Sequence, residues 1–150
     1  MRRHIVPDIV SGTQEMVLAS PVWTLRVCAQ IMAERRIGAV MVVDGDKLTG
    51  IVSERDIVFR AAAQGLDLDK VTVEAIMTPN PATIGPRDSA QTALSMMQKH
   101  GFRHLPVVEE DRIIGIVSIR DLFAAALAQL QDEVQQRDAM MFGGGYDMPG

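Results

Sequence analysis

Ser53, Arg55 and Asp56 stand together in Gly50-Ile51-Val52-Ser53-Glu54-Arg55-Asp56. Ser118, Arg120 and Asp121 recur in Gly115-Ile116-Val117-Ser118-Ile119-Arg120-Asp121. A hydroxyl, a guanidinium and a carboxylate so close together can accept from sugar hydroxyls and donate to an anion. In each stretch a glycine and β-branched residues read as the end of a buried strand, and Ser-x-x-Asp reads as the first turn of a helix. A helix start offers unsatisfied N–H groups and the positive end of a dipole, and both suit an anion. The same spacing also makes a capping box, in which Ser bonds the Asp N–H and Asp reaches back. The two roles can coexist, and the sequence leaves both open.

The elements that carry these residues come as a tandem duplication. Shifting the chain by 65 positions aligns Ala19–Gln64 with Ile84–Gln129 without a gap, and 14 of the 46 pairs are identical. Chance would give roughly three. Each half reads as β-α-β-β-α. A short extended piece (Met16–Ala19, Pro81–Ile84) leads through a proline to a helix. One face of that helix carries Leu25, Cys28, Ala29 and Met32, or Ala90, Ala93, Leu94 and Met97, with Asp88 or Ser89 as the second N-cap. Trp23 at the first helix entry reads as a hydrophobic staple. Strands follow at Ala39–Val43 and His104–Val108, then polar four-residue turns, then strands at Leu48–Val52 and Arg112–Val117. A polar break between β-branched runs predicts a hairpin. The expected units are 13–78 and 79–129, with a helical extension over 130–142 and a disordered glycine-rich tail over 143–150. Val73–Met77 reads as a short helical turn before Thr78-Pro79-Asn80-Pro81 breaks the chain. The last helix is expected from about Ser118 to Met141. Its stripe of Leu122, Ala126, Leu130 and Val134 reads as a partner contact, with a solvated helix as the alternative.

Bulk composition narrows the function classes. Of the 150 residues, 47% are hydrophobic and 23% charged, enough apolar material for a packed interior. A formal net charge of −4 argues against a nucleic-acid groove. The single cysteine, Cys28, excludes an intrachain disulfide and a Cys cluster for zinc, and its apolar setting marks it as a buried small hydrophobe. The basic N-terminus has no apolar stretch behind it to act as a secretory signal, and no run reaches membrane-spanning length. A reduced, cytoplasmic setting is expected. No nucleophile elbow, phosphate loop, metal-ligand cluster or Cys–His pair is present, so no enzyme activity and no required cofactor are expected.

With Phe102-Arg103-His104-Leu105-Pro106-Val107-Val108, the two Gly-h-h-Ser-x-x-Asp segments and the junction Ala75-Ile76-Met77-Thr78-Pro79, the chain resembles a tandem pair of CBS domains, named after cystathionine β-synthase. The likeness covers roughly Thr13–Gln129. It implies a mixed α/β (α+β) fold of two pseudo-symmetric halves packed sheet to sheet, with clefts between them that take adenosine-containing molecules. By the same resemblance Asp56 and Asp121 would hold ribose hydroxyls, and Ser53 and Ser118 would lie near phosphate. Ala39, Val40, Met41, Thr83, Ile84, Arg103, His104, Leu105 and Pro106 would line the adenine and phosphate regions. Arg55 and Arg120 either reach phosphate or flank the helix start, and His104 either meets phosphate or bonds between the halves. Arg103 and His104 align with Gly38 and Ala39, so the cleft nearest them is expected to favour the more anionic ligand. The implied role is a regulatory module that binds AMP, ADP or ATP, forms a homodimer, and serves a client enzyme, channel or transporter. Sensing of NAD(H) or S-adenosylmethionine, and a ligand-free dimerisation adaptor, are the alternatives.

Overall fold

The computed structural model describes residues 4–10 and 16–142, so the tail expected to be disordered lies outside the described residues. The fold is mixed α/β and repeats as the duplication requires. The first half comprises β1 (Leu18–Ala19), α1 (Leu25–Arg35), β2 (Ala39–Asp44), β3 (Lys47–Ser53) and α2 (Glu54–Asp56), which continues as wider helical turns over Ile57–Ala62. After α3 (Val73–Ile76) and β4 (Thr78–Pro79) come α4 (Ala90–His100), β5 (His104–Glu109), β6 (Arg112–Ser118) and α5 (Ile119–Phe142). β1 runs parallel to β2, β2 pairs antiparallel with β3, and β3 pairs with β4. The second half keeps the β5–β6 hairpin, but the expected extended piece at Pro81–Ile84 shrinks to one parallel bridge, Ile84 to Val107.

Local chemistry explains these boundaries. Thr24 caps α1 by accepting from the Val27 N–H, and Ser89 caps α4 by accepting from the Thr92 N–H at 3.1 Å. The second hairpin turns through Glu110 (φ 50°) and Asp111 (φ 63°), the paired left-handed conformation that matches strand twist. Both hairpins shift register at the same place, between Val42 and Val43 and between Val107 and Val108.

Each half has its own apolar core. Leu25, Cys28, Met32, Val40, Val42 and Val52 meet in the first; Ala93, Met97, Leu105, Val107, Val117 and Leu122 meet in the second. Both cores recruit a segment from outside their own repeat. In the first, the Val73 N–H donates to Trp23 O and the Glu74 N–H to Pro21 O. In the second, Ile5 donates to Asp88 O and Val6 to Pro86 O, the positions 65 residues on, and Ile5 and Val10 are buried there. Sequence reading assigned the N-terminal stretch no role in the core. Ala39, Met41 and Pro106 are buried yet belong to neither core. Strand alternation turns them to the opposite face, where the halves meet.

Leu122, expected on an outward stripe of the last helix, is 3% exposed and sits in the second core. The other three expected positions, Ala126, Leu130 and Val134, are exposed, and Phe123 and Leu127 join Leu130 and Val134 as the large outward apolar side chains of α5. Among the described residues no helix is long and apolar enough to cross a membrane. Gly50, in β3 opposite Pro79, has no room for a side chain: a Cβ would run into Met77 Sδ and stand 3.1 Å from Thr78 O. Gly50→Ala is expected to cost about 1–3 kcal/mol, measured by urea denaturation, because the Met77 side chain must move aside and Thr78 O must give way slightly.

Candidate functional site

Both strand-to-helix junctions close as capping boxes. The Ser53 N–H donates to Asp56 Oδ2 at 2.9 Å and the Asp56 N–H to Ser53 Oγ at 3.1 Å; the Ser118–Asp121 pair repeats this at 2.8 and 3.1 Å. The next N–H in each junction ties the helix start to the beginning of the neighbouring strand. Glu54 donates to Gly38 O at 2.8 Å and Ile119 to Arg103 O at 2.9 Å. Each aspartate thus commits Oδ2 to its cap, and its Oδ1 has no hydrogen-bond partner among the described residues.

A crevice of about 940 Å³ opens between the halves. Gly38, Ala39, Met41 and Glu54 line it from the first half; Arg103, His104, Ser118, Arg120 and Asp121 line it from the second. Apolar wall comes from Val17, Ile37 and Ile116, and a further cation from Arg36. The structure therefore brings together Ala39, Met41, Arg103, His104, Ser118, Arg120 and Asp121 of the residues marked in the sequence. The others lie elsewhere. Val40 belongs to the first core and Ile84 and Leu105 to the second, so their side chains are packed away from the crevice. Pro106 is buried, Thr83 is exposed, and neither lines this crevice; Ser53, Arg55 and Asp56 lie outside it as well. The Arg55 guanidinium rests over the Phe59 ring, 5.7 Å from its centre.

Gly38, Glu54 and Arg36 were not marked from sequence. Gly38 has a direct structural reason: a Cβ there would lie 3.3 Å from His104 Nε2 and 3.4 Å from Glu54 Oε1. The imidazole from one half is seated against bare backbone of the other. Repeat alignment sets Gly38 opposite Arg103, and that mismatch was the available signal. Burial lowers the His104 pKa from its usual 6.5; nearby Glu54 and Asp121 pull it back up and Arg103 pushes it further down. Cys28, by contrast, lies away from the crevice. Desolvation pushes its thiol up to about 11, and it packs beside Met32 in the first core.

Two halves, each ending a hairpin in a capped helix and together enclosing a polar-ended slot, define a tandem-repeat mixed α/β architecture. The chain belongs to the CBS domain family, which matches residues 6–63 and 73–128. It is 32% identical over 121 residues to the CBS domain-containing protein YhcV of Bacillus subtilis (strain 168), covering 81% of this chain and 84% of that one. It spans about a fifth of the longer Arabidopsis thaliana relatives it matches. Among solved structures, a CBS domain protein from Pyrobaculum aerophilum complexed with AMP is 31% identical, with a TM-score of 0.69 over 76% of this chain and 86% of that one. The CBS domain pair of protein MJ0100, in complex with methylthioadenosine and S-adenosyl-L-methionine, is 28% identical, with a TM-score of 0.76 over 86% and 99%.

As pH falls, the unfolded chain takes up a proton at position 104 before the folded one does. Stability contributed by neutral His104 is therefore intact above the unfolded value of about 6.5 and is lost below it. His104→Asn is expected to flatten the decline in unfolding free energy between about pH 7 and 5, followed by chemical denaturation at each pH. An unchanged decline would show that other groups set it.

Proposed function

We propose that the protein is a non-enzymatic regulatory module that binds an adenosine-containing ligand in the crevice bearing Asp121. The observation that carries this reading is a conjunction in one cavity: a carboxylate with an uncommitted oxygen, an apolar slot, and arginines at the rim. A vicinal diol donates two hydrogen bonds to such a carboxylate, adenine fits between aliphatic side chains, and guanidinium groups meet phosphate. The AMP complex of the Pyrobaculum aerophilum relative supports the ligand class.

AMP, ADP and ATP are the leading ligands. Glu54 favours a second reading, because a carboxylate in the crevice suits the ammonium of S-adenosylmethionine, and the MJ0100 complex supports it. Occupancy is read out through association with a second chain or a client protein, and the exposed Phe123, Leu127, Leu130 and Val134 on α5 support that assignment. To act as a switch, ligand must favour one arrangement of the halves over the other.

Isothermal titration of adenosine, AMP, ATP and S-adenosylmethionine tests the reading. Flat traces for all four would leave a structural adaptor. Asp121→Asn keeps an oxygen for the cap but removes the charge. It is expected to weaken adenosine binding roughly tenfold or more while leaving free adenine unaffected. Equal affinities for wild type and variant would remove Asp121 from the ribose.

A further inference from the structure

Helix α1 ends at Arg36, which takes the left-handed conformation (φ 55°, ψ 46°) as the C-cap. The same position in the second repeat is Gly101 (φ 77°, ψ 10°), the residue that adopts this conformation without a steric penalty. One repeat thus keeps a long cationic side chain where its twin uses glycine, and a strained position of this kind motivates a search for function. Arg36 lines the crevice, beside Ala29 and Ala33 of the same helix. Their counterparts in the second repeat are the larger Leu94 and Gln98, and Ala124 across the crevice has Phe59 as its counterpart. Small side chains therefore border the crevice beside Arg36. Among the described residues Arg36 forms no ion pair. The crevice, at about 940 Å³, lies near the top of the roughly 300–1,000 Å³ range of small-molecule pockets, which leaves room beyond a nucleoside monophosphate. Arg36, Arg103 and Arg120 face only two carboxylates there, Glu54 and Asp121, and the latter already serves a cap.

Building on the adenosine-site reading above, we infer that Arg36 engages the terminal phosphate of an adenosine polyphosphate and makes the crevice prefer a longer phosphate chain to a monophosphate. Guanidinium pairs with phosphate through parallel N–H donors, an interaction no other residue on this wall supplies. The strain at Arg36 is retained because glycine cannot make that contact.

The test is Arg36→Gly in the full chain. This change removes the guanidinium and relieves the left-handed strain, so the melting temperature is expected to stay level or rise. Titration calorimetry with adenosine, AMP and ATP is then run on both proteins. For wild type, ATP binds more tightly than AMP; for the variant, ATP affinity falls roughly tenfold while adenosine and AMP change less than twofold. Unchanged ATP affinity in the variant, equal losses for all three ligands, or a wild type that holds ATP no better than AMP would each overturn the role of Arg36 while leaving the adenosine site standing. A wild type that binds none of the three would overturn both.

Discussion

Burial of both faces of the first strand of each hairpin is the constraint from which the rest of the architecture follows. In β2, Val40 and Val42 point to the first helical core, while Ala39 and Met41 point to the other half, and all four are buried. A strand covered on both sides must be apolar at successive positions, which is why Ala39–Val43 shows no alternation of polar residues. The inner faces cover one another only in part. Where the cover stops, the strand ends give way to helix starts, and polar side chains line the remaining space.

A capping box fixes two of those side chains, Ser118 and Asp121. Asp121 is held by the Ser118 N–H, and Ser118 by the Asp121 N–H, so neither needs to be ordered on binding. Preorganisation of this kind lowers the entropy cost of recognition. In the proposed function the cap and the ribose contact would share one residue, Asp121, whereas Asp56 makes the same cap without facing the same cavity.

Much of the fold was legible because the duplication states it twice. Glycine punctuation and β-branched runs located both hairpins to within a residue or two at each end, and Ser89 stood out as a helix cap. Other features were hidden for identifiable reasons. Val40 and Leu105 were grouped with their neighbours, although the two-residue period of a strand separates their faces. Ser-x-x-Asp spacing is compatible with a cap, which both junctions form, but says nothing about which junction borders a cavity. Arg36 carries no sequence pattern of its own; its significance lies in a backbone angle, visible only against Gly101. The pairing of Ile5 with Asp88 joins residues more than eighty positions apart, and no local pattern encodes it.

That last pairing shapes how the molecule acquires its structure. Ile5 and Val10 complete a core whose other members begin at Ile84, so the second interior cannot finish assembling from its own stretch of chain. The first can, because Val73 and Ile76 follow their partners directly. Loop closure on this scale raises the average sequence separation of native contacts and slows the final search. The arm that carries Ile5 and Val10 thus reaches past the whole first repeat to complete the core of the second.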